Sequence, residues 1–267
     1  MSRESRTRNW PAGRSSPVAV SESGGVRYLH IGGDAIQSAM RLSRPDRLEL
    51  HYNRAMMAFL LFHPRPRRIF MVGLGGGSMA RFLHRAYPQS RVTAVEVNPE
   101  VVSAARRYFD LPADGPRFAA ILDDGAAFVA THPGEADVLL MDAFDDGSQV
   151  PKLCSPAFYA AAHAVLSEPG VLVQNFMSDD DRVDLYAERI AEAFGRPVLL
   201  MPAADRVNTI VIAFKGGPRR IKWSTLQARA EALEEAHDLP ADHYLAMLRR
   251  SRAAGRVAAA AAGFFEY

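Results

Sequence analysis

The sequence predicts an α/β fold built on a doubly wound parallel sheet, and three observations predict it. A short apolar run, Ile69 to Val72, ends in Gly73, Gly75, Gly76 and Gly77, and apolar residues at helical spacing follow at once: Met79, Phe82, Leu83 and Ala86. Strand, glycine turn and helix in that order open a nucleotide-binding unit. Strand-like runs and helical patterns then alternate five times, which implies parallel strands with helices on both faces. The last two runs, 198–201 and 209–214, have no helix between them, so they pair antiparallel.

The elements follow in order. Residues 1–17 hold four arginines (Arg3, Arg6, Arg8, Arg14) among Ser, Pro and Gly and read as a disordered tail. Residues 18–45 read as a small β-hairpin region, with an alternating run at 26–31, a turn at Gly32-Gly33-Asp34 and a return through Gln37. Residues 46–62 show a helical stripe of Leu48, Tyr52, Met56, Phe59 and Leu60, stopped by Pro64 and Pro66. After the glycine strand come a strand at 92–97 and a helix capped by Asn98 and opened by Pro99. A third strand at 118–122 runs into Asp123-Asp124-Gly125 and a short helix. A fourth, at 137–141, leads into a long loop from Asp142 to Cys154. Ser155-Pro156 caps and opens the next helix, Glu168-Pro169-Gly170 is a turn, and 171–176 is the fifth strand. A helix at 179–194 follows, with Asp179-Asp180-Asp181 as a negative cluster at its positive end and Gly195 as its stop. The pattern as a whole is the Rossmann-like, S-adenosylmethionine-methyltransferase-type sheet. Residues 46–220 form its catalytic domain and 221–267 a helical C-terminal extension, amphipathic from Leu226 to Leu239, with the alanine run 258–262 read as a helix end.

Composition narrows the function. A chain of 267 residues with 48% hydrophobic side chains can bury a large core, and no apolar run reaches the roughly 18 residues of a membrane span. A formal charge of +2 argues against nucleic acid as the main partner. The single cysteine, Cys154, excludes an internal disulfide and suits a reducing cytoplasm; no base neighbours it in sequence, so it reads as an inert thiol. The N-terminal tail lacks the apolar segment of a secretory signal. His163 reads as a surface or core residue, and His237 and His243 are not at metal-ligand spacing with any acid pair, so no metal is expected.

Ligands of such sheets bind past the carboxyl ends of the strands. Here the first strand ends in glycines, the second in Glu96, the third in Asp124-Gly125 and the fourth in Asp142, with Asp145 and Asp146 just beyond. Glu96 is placed to accept from ribose hydroxyls, and Asp124 can accept from an exocyclic amine. One strand-end acid is commonly a cap; acids on three successive strand ends beside a glycine loop are much harder to dismiss as caps.

The stretches GGDAIQ, HPRPRRIFMVGLGGG, VEVNPEVV, PRFAAILDDGAAFV, DVLLMDAFD, SPAFY and LSEPGVLVQN, in that order and spacing, resemble the spermidine synthase (polyamine aminopropyltransferase) family over residues 21–216. The resemblance implies aminopropyl transfer from decarboxylated S-adenosylmethionine to a putrescine-like di- or polyamine, with no permanently bound cofactor. Gln37, Gly73, Gly75, Gly77, Glu96, Asp124 and Gly125 would hold the donor, Asp142 would sit near its sulfonium, and Asp145 would be the catalytic acid. A homodimer is the expected assembly. Three departures concern the amine side. Gly76 stands where the family carries an acid, Asp146-Gly147 where it carries Asp-Pro, and Ala203-Ala204 near a family tyrosine, with Asp205 read as a solvated loop acid. Tyr52 and Asn53 fall one residue out of step with a family Tyr-His/Gln pair, and a packed helix tyrosine is the equal alternative. Two rivals remain beside aminopropyl transfer: a methyltransferase using intact S-adenosylmethionine, and a catalytically weak nucleoside- or polyamine-binding protein. A dehydrogenase is distant, since nothing resembles a hydride-transfer site.

Overall fold

The computed structural model describes residues 16–145, 148–250 and 264–267. The disorder expected of the arginine-rich tail up to residue 15, the Asp146-Gly147 pair and the helix end expected at 258–262 lie outside the described residues.

β1 (Val18–Ser23), β2 (Val26–Ile31) and β3 (Ile36–Arg41) form a three-stranded antiparallel sheet, one strand more than a hairpin. The next helix starts later than its apolar stripe suggests: α1 is His51–Met56, and a 3-10 turn, Met57–Leu61, completes it. The stretch before it is held by side chains instead of helical hydrogen bonds. Glu49 pairs with Arg41, Asp46 with Arg85, and Arg54 donates to the Leu48 carbonyl at 2.6 Å.

The main unit follows. β4 (Arg68–Val72) and α2 (Ser78–Ala86) are joined by the glycine loop, β5 (Arg91–Glu96) leads to α3 (Pro99–Tyr108), and β6 (Phe118–Leu122) to α4 (Gly125–Thr131). β7 (Ala136–Met141) enters the segment expected to be an open loop, which instead holds a small hairpin of β8 (Phe144–Asp145) and β9 (Ser148–Gln149) and a 3-10 turn, Pro151–Cys154. α5 (Pro156–Val165) runs directly into β10 (Leu166–Met177), so the expected Glu168-Pro169-Gly170 turn is an irregularity inside a longer strand. α6 (Val183–Phe194) begins after the aspartate cluster, not within it, because Asp180 turns the chain by accepting from the Arg182 N–H at 2.9 Å while pairing with its guanidinium. β11 (Leu199–Pro202) and β12 (Asn208–Lys215) close the sheet in the order β11-β12-β10-β7-β4-β5-β6, with β12 antiparallel to both neighbours and the rest parallel. β13 (Arg220–Lys222), α7 (Trp223–His237), α8 (Ala241–Arg250) and β14 (Phe264–Glu266) form the extension. Its two three-residue strands pair with each other and are too short to leave a periodic signal.

The central strands are apolar on both sides, as buried parallel strands must be. Ile69, Met71, Val138 and Leu140 face a core built with α2, α3 and the extension. Their alternates Phe70, Val72, Leu139 and Met141 face a second core built with α4, α5 and α6. The first core also takes Leu29 and Met40 from the N-terminal sheet and Leu226, Tyr244 and Phe265 from the extension. Polar ties dock the extension, among them Arg229, which donates to the Leu61 carbonyl at 2.6 Å, and the fully buried Tyr244 hydroxyl, which donates to the Arg54 carbonyl. Tyr244→Phe keeps the ring but removes that bond, and the Arg54 carbonyl keeps the Met57 N–H, so unfolding by urea should show a loss of about 0.5–1.5 kcal/mol with the m-value unchanged.

Candidate functional site

The carboxyl ends of β4, β5, β6, β7 and β10 open on one edge of the sheet, and the acids and the glycine loop expected from the sequence meet there. The loop leaves β4 tightly. Gly73 donates to the Val95 carbonyl and Asp142 to the Val72 carbonyl, both at 2.9 Å. At Gly73, with φ 92°, a Cβ would lie 2.1 Å from the Asp142 carbonyl oxygen, so the position admits only glycine. Gly75 and Gly77 also have positive φ, and Gly77 caps α2. The Gly76 N–H donates to Ser38 Oγ at 2.8 Å, which ties the loop to β3 beside Gln37. A Cβ at Gly76 would meet Ser38 Cβ at 2.9 Å and the Phe109 ring at 3.0 Å. The space for an acid is therefore filled from outside, not merely empty. Sequence reasoning missed Arg81. Fully buried, it donates to the Pro45 and Phe109 carbonyls at 2.6 and 2.5 Å and braces the loop from below.

Glu96 stands at the end of β5 with both carboxylate oxygens engaged, one by the Leu74 N–H at 3.0 Å and the other by the Asn98 N–H at 2.9 Å. The glycine loop thus aims this side chain, and its remaining lone pairs face the half-exposed edge. Asp124 caps α4: one oxygen accepts from Ala126 and Ala127 at 2.9 and 3.1 Å, and the other pairs with Lys152, which depresses the carboxyl's proton affinity. Gly125 opens α4 next to it, tight against Val72.

Asp142 is the most perturbed acid of the edge. Its Oδ1 accepts from Asn175 Nδ2 at 2.9 Å, and the Tyr52 hydroxyl lies between this carboxylate and the Gln37 carbonyl, 3.2 Å away. Loss of water raises the Asp142 pKa from 3.8 to about 6, and the two hydrogen bonds oppose that rise without cancelling it. Tyr52 is pushed well above its ordinary range, first by dehydration and then by the charge of Asp142. The Tyr52 hydroxyl thus borders Asp142, while its ring packs against the first core. Asn53 is buried behind it with an unpartnered Oδ1. Asn175 was not singled out from sequence; its signal is the polar pair Gln174-Asn175 at the end of an otherwise apolar strand.

Asp145 lies on β8, its backbone paired with Ser148 across the hairpin that leaves the Asp142 end of β7. Asp205 is exposed and, among the described residues, accepts from the Val207 N–H, as a loop acid does. Cys154 is buried and its thiol pKa is raised by dehydration, the state of an unreactive sulfur. His163 packs against the Phe194 ring and His237 between Phe82 and Tyr87.

Residues 49–180 match the family model described as the Spermine/spermidine synthase domain. The chain is similar to the polyamine aminopropyltransferase of Chromobacterium violaceum, 38% identical over 92% of this chain and 95% of that protein. In fold it is similar to the crystal structure of a probable spermidine synthase from Corynebacterium glutamicum, with a TM-score of 0.68, 24% identity and 83% of each chain covered. It is also similar to human methyltransferase-like protein 13 in complex with SAH, with a TM-score of 0.64, 24% identity, and 72% of this chain and 94% of that one covered.

The dehydrated Asp142 carries a stability signature. Between 3.8 and about 6 the native protein holds more protons than the unfolded chain, so stability falls as pH rises through that window. Asp142→Asn, which can still accept from Asn175, should stabilise the protein at pH 7 by up to roughly 3 kcal/mol. The gain should vanish below pH 4. Urea unfolding of both proteins at pH 4 and pH 7 measures it, and an equal gain at both values would contradict the assignment.

Proposed function

We propose that this chain, which belongs to the spermidine synthase (polyamine aminopropyltransferase) family, transfers an aminopropyl group from decarboxylated S-adenosylmethionine to a small di- or polyamine. The observation that carries the reading is the Asp142 carboxyl. It is held between Asn175 and Tyr52, at proton affinity near neutrality, on the edge where the glycine loop and Glu96 open. The residues fit the donor by chemistry. Glu96 is aimed by two backbone N–H groups and keeps lone pairs for the ribose hydroxyls. Asp124 is the acceptor for the adenine amine, beside Gly125. Gly73, Gly75 and Gly77 let backbone approach the ligand, and Gln37 lines the same wall.

The reaction needs little from the protein beyond placement. An uncharged amine nitrogen attacks the carbon next to the sulfonium, the C–S bond breaks with its electrons going to sulfur, and neutral methylthioadenosine leaves. No oxyanion forms, so positioning and proton removal supply the catalysis. An alkylamine is protonated at neutral pH. We place its proton on the Asp142–Asp145 pair, the first at the strand end and the second on the hairpin beyond it. Carboxylates there also favour a cationic acceptor over a neutral one. We take residues 46–220 as the catalytic unit, the assembly as a homodimer and the compartment as the cytoplasm, on the resemblance and the single cysteine.

One observation favours a second reading. The space beside Gly76 is closed by Ser38 and Phe109, so no acid there repels a carboxylate-bearing donor. On that reading intact S-adenosylmethionine is a methyl donor and S-adenosylhomocysteine the product. Incubation with each donor and a set of amines, with the released thioether identified by mass, separates the two readings.

Two sets of variants test the roles. Glu96→Gln should weaken methylthioadenosine binding by about 1.5–3 kcal/mol, measured by calorimetry; unchanged affinity removes Glu96 from the donor site. Asp145→Asn and Asp142→Asn should each slow single-turnover product formation by roughly 10²–10⁴. With Asp145→Asn, methylthioadenosine affinity should stay as in the parent. The parent's rate should fall as pH drops through about 6, where Asp142 takes up a proton. That inflection should be missing from Asp142→Asn alone.

A further inference from the structure

We propose that Gln149 is a positioning residue for the two acids of the reaction. It fixes the hairpin that bears Asp145 to the strand that holds Asp142. The inference rests on the aminopropyl-transfer reading above, and no resemblance assigns this residue a role.

The geometry is a short chain of amides. Gln149 sits on β9, its Cα opposite Phe144, one pair inward from Asp145 and Ser148. It is only 5% exposed, unusual for a polar side chain at the root of a two-residue strand. Its Nε2 donates to the Asn175 carbonyl at 2.8 Å, and the side chain of the same Asn175 donates to Asp142 Oδ1 at 2.9 Å. One residue of β10 is thus bonded through its backbone to the hairpin and through its side chain to the first acid. Asn175 is itself 2% exposed and held in the sheet opposite Ile210 of β12, so it cannot follow a shifting hairpin.

Nothing else described on the hairpin does this work. β8 and β9 pair only with each other and belong to no larger sheet. A hairpin of two residues a side has little stability of its own. The far side of the Gln149 amide faces Cys154 Sγ at 3.9 Å, a weak contact that orients the amide and leaves Nε2 for Asn175. The Asn175 carbonyl is accordingly the point where the hairpin's position is set relative to Asp142. Misplacing a catalytic group by about 1 Å can cost 10²-fold in rate, so losing this one bond should reach the chemistry while sparing the donor pocket.

Gln149→Met and Gln149→Glu test it. Methionine keeps the length but cannot donate. Glutamate keeps the shape, cannot donate when ionised, and adds a negative charge that raises the Asp142 pKa. With decarboxylated donor and an active amine, Gln149→Met should lower kcat by about 10- to 100-fold, leave methylthioadenosine affinity within about twofold, and leave the pH inflection in place. Gln149→Glu should lower kcat similarly and move the inflection upward. A purely structural glutamine would change the melting temperature but not kcat well below it, and wild-type kcat in Gln149→Met would overturn the proposal. Loss of methylthioadenosine binding in that variant would overturn it too, since the residue would then support the donor pocket. If the unmodified protein releases no methylthioadenosine with any amine, the aminopropyl-transfer reading fails. Activity in the parent with no change in Gln149→Met fails only the role given to Gln149.

Discussion

The ligand edge depends on one close approach, that of the backbone at Gly73 to the backbone at Asp142. The first turn out of β4 passes the first turn out of β7 with no room for a methyl group between them. That contact sets the glycine loop's path, the loop presents the Leu74 N–H that aims Glu96, and the same peptide region of β7 carries the Asp142 side chain. Glu96 and Asp142 are therefore positioned by a single backbone crossing. Neighbouring parallel strands ending at one level make such a crossing available.

The fold was legible because its signals are long and redundant. Parallel strands buried on both faces read as apolar runs, and Asn98-Pro99, Ser155-Pro156 and Gly195 mark their helix ends by chemistry that the structure reproduces. Errors fell where side chains replace backbone patterns. The 46–62 stripe is apolar because it is buried all round, not because it is one helix, and ion pairs hold its first residues. The aspartate cluster at 179–181 looked like a helix start, yet Asp180 satisfies a turn ahead of it.

The sequence placed the acids at the strand ends, and the structure brings Glu96, Asp124 and Asp142 to one edge, where Asp124 also serves as the cap of α4. Asn175, Gln149, Arg81 and Ser38 were hidden because their partners are distant in sequence and, for the last three, are backbone groups, which no spacing encodes. Lys152 shows a related limit: its pairing with Asp124 comes from the 3-10 turn after the hairpin, a local fold that a loop reading does not contain. Tyr52 stood between two readings, and its nearness to Asp142 and to the Gln37 carbonyl is a contact that spacing alone does not encode.

The alternation of Ile69, Phe70, Met71 and Val72 between two separate cores has a consequence for how this protein can change over time. The helices α4, α5 and α6 meet one side of the sheet, while the N-terminal sheet and the C-terminal extension meet the other. Residues on opposite sides share a backbone but few side-chain neighbours, so substitutions there should combine nearly independently. Lineages can thus remodel the side bearing the appended segments, even replace them, while the opposite helices drift on their own. The sheet is the one element that both halves share.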